Sequence, residues 1–262
     1  MSSDHVLYEI QDRVALITLN RPEARNAFSP AMISLWNGYL QEARGDDGVR
    51  VVVVTGLGDT FCSGGDIRDM AEGRLQSWDM KRFVWDGVHR IALTLEDLDK
   101  PVIAAVNGAA AGAGANIALA ADVVIAAHSA YFLQAFSRIG LVPDAGGTFI
   151  LPRAMGLPKA IGAALFAEKI TAEQADDWGM IWEAVPDMGF EEHWRARARH
   201  LADGPTLAYQ GIKDLMRASL SSSFEEQIAF EARTQGKCGR SRDFKEGVTA
   251  FMEKRAPKFE GR

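Results

Sequence analysis

Two buried strands, each running into a glycine-bearing turn, constrain this chain more than any other feature: VVVVTGLGDTFCSGGDI at 51–67 and PVIAAVNGAAAGAGANIAL at 101–119. A run of four valines shows no polar alternation. Both faces of such a strand must be covered, the condition of a parallel sheet flanked by helices. Glycine serves where backbone turns sharply or lies very close to a neighbour. The second turn holds Gly108, Gly112 and Gly114, and no charged side chain stands between Pro101 and Asp122. It therefore predicts a surface that something approaches closely.

The remaining segments supply the layers. VALITL at 14–19 alternates as a strand. Ser29-Pro30 opens a helix with Ser at the N-cap and Pro at the first helical position; Met32, Leu35, Trp36 and Leu40 follow at helical spacing. A short helical stretch begins at Ile67, and residues 77–98 read as a long amphipathic helix. Residues 113–121 read as another helix and VVIAA (123–127) as a further core strand. From Thr171 the pattern turns helical: TAEQADDWG, FEEHWRARARHLAD, PTLAYQGIKDLMRASL, SFEEQIAFEARTQG. Strand–helix alternation first and helices last predict an α/β core over 1–200 and a helical C-terminal region over 201–262.

Several function classes are disfavoured. A net charge of −6 with no concentrated basic face argues against nucleic acid. The most apolar span, 102–127, is interrupted by glycines, Asn107, Asn116 and Asp122, so no membrane span is expected. The first residues lack the charged and apolar regions of a secretory signal. Cys62 and Cys238 are too few and too distant to read as a disulfide framework, which makes a reduced, cytoplasmic location the expectation. The five histidines form no close ligand pair, so no metal is expected. No GxxxxGK[ST] phosphate loop occurs, and Ser63 lacks the preceding glycine of a nucleophile elbow. What remains is the pair of glycine turns. Either alone fits tight strand-to-helix packing. Together they can present backbone N–H groups from two loops, near helix starts, to one oxygen that acquires negative charge.

Several stretches resemble the crotonase, or enoyl-CoA hydratase/isomerase, superfamily: ITLNRPEARNAFS, FCSGGDIRDM, KPVIAAVNGAAAGAGANIALAAD, LVPDAGGTFILPRAMG and the ending GRSRDFKEGVTAFMEKRAPKF. The resemblance covers essentially the whole chain. It implies a spiral of ββα turns, an acyl-CoA thioester substrate with no separate cofactor, and homotrimers or dimers of trimers built on the C-terminal helices. By motif position the thioester oxygen would lie between the N–H groups of Gly65 and Ala113. CoA would meet Arg25, Ala27, Ser63, Asp66 and Ile67. Lys258 and Lys254 would reach its phosphates, within one chain or across a subunit interface; the alternative for these lysines is a solvated helical face.

Carboxylates distinguish members of this superfamily. Hydratases in it carry glutamates where this chain has Asn116 and Phe136. Asn116 cannot act as a base and Phe136 can neither accept nor donate a proton, so hydration is disfavoured. Asp144, in GLVPDAGGT, is left with two readings: the cap of a helix beginning near Ala145, or a catalytic carboxylate. AFSRIGLVPDAGGT and the chain's ending are similar to the branch that isomerises 1,2-epoxyphenylacetyl-CoA and shifts enoyl-CoA double bonds. In that reading Asp144 carries a proton between acyl carbons, with its pKa raised by Leu141, Val142 and Phe136. Asn116 either hydrogen-bonds near the site or satisfies backbone at its helix start. Arg138 is ambiguous, and Phe136 and Trp85 are pocket walls or core. Hydratase and non-catalytic CoA-binding subunit stand as the alternatives.

Overall fold

The computed structural model describes residues 4–71 and 80–262. The first part of the chain forms β1 (Val6–Gln11), β2 (Val14–Leu19), α1 (Pro30–Gly45), β3 (Val51–Gly56), β4 (Thr60–Cys62) and α2 (Ile67–Ala71). After α3 (Met80–Phe83) and α4 (His89–Glu96) come β5 (Val102–Val106), β6 (Ala109–Ala111), α5 (Ala113–Leu119), β7 (Val123–Ala127) and β8 (Tyr131–Leu133). A 3₁₀ turn, Ala135–Ile139, precedes α6 (Gly147–Met155), α7 (Leu157–Phe166), β9 (Lys169–Thr171), α8 (Ala172–Asp177) and β10 (Glu183–Val185). Four helices finish the chain: α9 (Phe190–Ala202), α10 (Thr206–Ala218), α11 (Phe224–Cys238) and α12 (Arg242–Glu253).

One unit repeats. A strand of a six-stranded sheet (order β1-β2-β3-β5-β7-β10) is followed by a short strand of a four-stranded sheet (order β4-β6-β8-β9), then by a helix. β3-β4-α2 and β5-β6-α5 are two turns, and β7-β8 begins a third that α6 closes after the 3₁₀ turn. Phe28 makes an isolated parallel bridge to Gly65, placing β2, Phe28 and α1 as an earlier turn. Successive turns stack as parallel neighbours in both sheets; β1 and β9 alone run antiparallel to their partners within these sheets. This is the α/β spiral of ββα turns with a helical C-terminal region.

Local chemistry accounts for the elements. Ser29 accepts the Met32 N–H at 3.1 Å and Pro30 begins α1, as expected. Thr171 and Gln174 form a reciprocal capping box at α8, and Ser223 and Glu226 form another at α11. Val51, Val52 and Val53 are wholly buried. Burying each such side chain stabilises the fold by about 1.5–3 kcal/mol. The glycines of the second turn meet the chain itself. A Cβ on Gly108 would lie 2.0 Å from the Asp59 carbonyl oxygen, and one on Gly114 would lie 2.5 Å from that of Cys62. Tight packing, rather than a ligand, requires glycine at these two positions.

Two boundaries differ from the sequence expectation. Residues 77–79 of the helix expected at 77–98 lie outside the described residues. The rest is α3 and α4 joined by a π-helical turn, Val84–Val88, in which Val88 is buried. The division drawn after residue 200 falls inside α9, and the next helix, α10, begins at Thr206. Among the described residues no helix is long and apolar enough to cross a membrane.

Candidate active site

The start of α5 is the centre of the site. Its first residue, Ala113, has no intrahelical acceptor for its N–H, as at any helix start. No hydrogen bond engages either this N–H or that of Gly65 among the described residues. The two loops are in contact: a Cβ on Gly64 (φ +85°) would lie 2.8 Å from the Ala111 carbonyl oxygen and 3.4 Å from the Ala113 nitrogen. Gly65, next in the chain, is thereby held beside the first turn of α5. All seven residues of α5 are buried, so its positive end works in a low-dielectric setting. Phe136 packs against Gly112 on the same end, its Cζ 3.7 Å from where a Cβ on Gly112 would stand, and is 7% exposed.

Asp144 sits on the turn before α6 and does not cap that helix. The N-cap position is Gly146, with no side-chain cap, and the Asp144 backbone carbonyl alone accepts from Gly147 N–H, at 2.9 Å. Its Oδ1 is enclosed and has no hydrogen-bond partner. Burial lifts the carboxyl from its ordinary 3.8 to about 6, opposed only by its own backbone N–H. Of the side chains expected to raise it, Phe136 is buried, whereas Val142 is 77% exposed. The turn itself is strained, since Ala145 takes φ +49° and Gly146 φ +82°.

The residues expected at CoA form a second, adjoining group. Arg25 and Asn26 both adopt left-handed backbone, φ +52° each, and the Arg25 carbonyl accepts the Ser63 N–H at 3.1 Å. Ala27 is buried, and its carbonyl takes a 2.6 Å bond from Arg21. Arg21 also pairs with Asp66 at 3.4 Å. The other Asp66 oxygen accepts the Arg68 N–H at 3.1 Å. Ile67 opens α2 and is 62% exposed. Arg25, Ala27, Ser63, Asp66 and Ile67 therefore come together.

Lys258 does not join them within one chain. Its backbone N–H donates to Glu246, and it lines a cleft with Arg242, Asp243, Arg255 and Glu260. The next residue's carbonyl accepts from Arg50, just before β3, whereas Ser63 lies beyond β3 and β4. Lys254 is an exposed left-handed C-cap of α12. Arg138 donates to the Ala167 carbonyl at the end of α7, a helix-capping contact. Trp85, on the π-helical turn, is 60% exposed and meets the edge of His89.

Sequence reasoning passed over three residues that build the site. Arg21 ties the Ala27 and Asp66 loops. Asn26, fully buried, donates to the Leu57 and Thr60 carbonyls at 3.1 and 2.7 Å and accepts the Arg21 N–H. Asn in a turn that demands φ > 0 was the available signal. Gln134, 1% exposed, donates to Asn116 at 2.8 Å; no local pattern marks it. Among the described residues no three His, Cys, Asp or Glu side chains group to hold a metal ion.

A ββα spiral with two unengaged backbone N–H groups, one on the first residue of a buried helix and one on the loop beside it, can present both donors to one oxygen. The chain belongs to the enoyl-CoA hydratase/isomerase family, which it matches over residues 9–262. It is 52% identical over 262 residues to the "Probable enoyl-CoA hydratase" of Rhodobacter capsulatus, covering both chains fully. It is 41% identical to the 1,2-epoxyphenylacetyl-CoA isomerase of Escherichia coli K12, over 99% of each chain. Among solved structures, an enoyl-CoA hydratase from Polaromonas sp. JS666 superposes with a TM-score of 0.92 at 30% identity, over 97% of this chain and 99% of that one.

Proposed function

We propose that this family member is an acyl-CoA isomerase in which Asp144 carries the proton. One observation supports this above the others. The Asp144 carboxyl has one enclosed, unpartnered oxygen and a pKa of about 6, and its turn is hydrogen-bonded to α5, the helix whose first N–H, like that of Gly65, is unengaged among the described residues. The two places equated by resemblance with hydratase glutamates hold an amide and a benzyl ring instead.

The chemistry balances without a co-reactant. Asp144 takes a proton from C2 of a 3-enoyl thioester. The C–H electron pair becomes the C1=C2 π bond of a dienolate as the carbonyl π pair moves onto the thioester oxygen, which takes the charge. The Gly65 and Ala113 N–H groups stabilise that oxygen, each by about 3 kcal/mol. Protonated Asp144 then delivers the proton to C4, leaving a conjugated 2-enoyl thioester. A carboxyl group with a pKa close to the working pH suits both transfers. A ring epoxide beside the thioester would be opened by the same first proton loss, and the isomerase likeness favours that acyl group.

CoA itself is the substrate's handle and would lie along Arg25, Ala27, Ser63, Asp66 and Ile67. Lys258 would contribute only from a neighbouring subunit. We assign a homotrimer or dimer of trimers on the exposed apolar residues of α10–α12, and a cytoplasmic location on the two free cysteines. The 52% likeness favours a second reading, hydration of a 2-enoyl thioester.

The test is turnover of 3-hexenoyl-CoA, crotonyl-CoA and 1,2-epoxyphenylacetyl-CoA by wild type and Asp144→Asn. Isomerisation falling by about 10²–10⁴ in the variant is expected. Full isomerase turnover by Asp144→Asn, or hydration of crotonyl-CoA as the dominant wild-type activity, sinks the proposal.

A further inference from the structure

Asn116 is wholly buried on α5, one turn beyond Ala113. Its Nδ2 donates to the Asp144 backbone carbonyl at 2.9 Å. A carbonyl only accepts, so the nitrogen of this amide must face it. That leaves Oδ1 for Gln134, whose Nε2 donates to it at 2.8 Å. The Asp144 carbonyl, already bonded by Gly147 N–H, thus has both acceptor directions filled. Gly147 closes the arrangement from the far side, since a Cβ there would stand 2.2 Å from Asn116 Nδ2. Three elements meet in these contacts: α5, the segment after β8, and the turn leading into α6. The turn they grip is the strained one, with Ala145 at φ +49° and no exposed surface.

We infer that Asn116 and Gln134 are positioning residues for Asp144, holding its turn against α5 so that the carboxyl group keeps its enclosed position. The inference rests on the reading that Asp144 carries the proton, and deepens it. Left-handed backbone at Ala145 is intrinsically unfavourable and persists only where its surroundings over-determine it. The Asn116 amide supplies that constraint from 28 residues away, and Gln134 fixes the amide's orientation. A carboxylate at position 116 would oppose acceptor to acceptor and lose the grip. The residue is therefore an amide by requirement, and glutamate introduced there would disable the proton carrier.

Two variants separate positioning from mere packing. Asn116→Leu removes the donor while keeping the number and branching of side-chain heavy atoms. Gly147→Ala adds one methyl group and deletes no polar atom, but pushes Asn116 off the carbonyl. In both, kcat for 3-hexenoyl-CoA isomerisation should fall by about 10²-fold, the loss expected for a reacting group misplaced by about 1 Å. KM should hold within about threefold, because the CoA loops and oxyanion donors are untouched, and the acid limb of the kcat profile should move. Wild-type kcat and an unmoved limb in the folded variants overturn the inference and leave Asp144 standing. Full turnover by Asp144→Asn overturns the underlying reading instead. Where Asn116→Leu does not fold, Gly147→Ala decides; activity lost only in proportion to folded protein also counts against positioning.

Discussion

Asp144 is held where its ionised form is disfavoured. In the folded chain the carboxyl group titrates near 6, against an ordinary 3.8. The fold therefore binds the proton more tightly than the unfolded chain does, and stability declines as pH rises between those values. Above about pH 6 the full penalty applies, about 3 kcal/mol; below about pH 4 it is absent. Asp144→Asn removes the charge while keeping the shape. At fixed protein concentration it should unfold at higher urea than wild type near pH 8 and converge with it near about pH 4. Equal stability at both pH values would mean that burial does not destabilise this carboxylate. A gain in stability with a loss of turnover is the signature of a residue kept for chemistry.

At the scale of elements, one buried lysine closes a core helix and another binds the helical segment to the core. Lys100 Nζ donates to the carbonyls of Ala43, Arg44 and Asp46, closing the C-terminal end of α1. Lys213, on α10, donates to the carbonyls of Leu98 and Lys100 and pairs with Asp122 at 2.6 Å; Arg217 reaches the other Asp122 oxygen at 2.8 Å. Burial raises the Asp122 carboxyl and lowers the Lys213 amine, each offset by the opposite charge. Desolvation thus opposes the charges on both partners, and their mutual contact keeps the site tolerable. Removing one leaves the other uncompensated. Lys213→Met should cost about 3 kcal/mol of unfolding free energy, read from the urea midpoint with m unchanged. A shift under about 0.5 kcal/mol, the usual size at a neutral surface site, would show that the contact does not anchor α10.

Across the whole molecule, apolar side chains lie outside as well as in. On α12, Phe244, Val248, Phe251 and Met252 share one face and are each at least half exposed; Ile212 and Met216 form a similar row on α10, and Leu220 just beyond its end is exposed too. Contiguous apolar surface of this kind marks an interaction site. On the reading that a second and third copy of the chain cover it, light scattering should give three or six times 28.6 kDa. Val248→Asp with Phe251→Asp should yield a monomer, because charges buried at an apolar contact are strongly unfavourable. An unchanged mass in the double variant would place the subunit contact elsewhere.

Much of this was written locally. The valine run of β3, the Ser29-Pro30 start of α1 and the Thr171-to-Gln174 box of α8 each declare themselves within a few neighbours, because strand pairing and helix capping depend on short-range pattern. The three-residue strands β4, β6, β8 and β9 do not, being shorter than any hydrophobic period can register. So the amino-acid order alone determined the α/β class, the glycine turns that aim backbone donors, and the family. Tertiary structure alone decided whether Asp144 is a cap or an enclosed acid, what Gly108 and Gly114 pack against, and that Asn116 grips a carbonyl 28 positions downstream. Burial and long-range hydrogen bonds arise only when distant segments meet, and no local stretch of residues encodes that meeting.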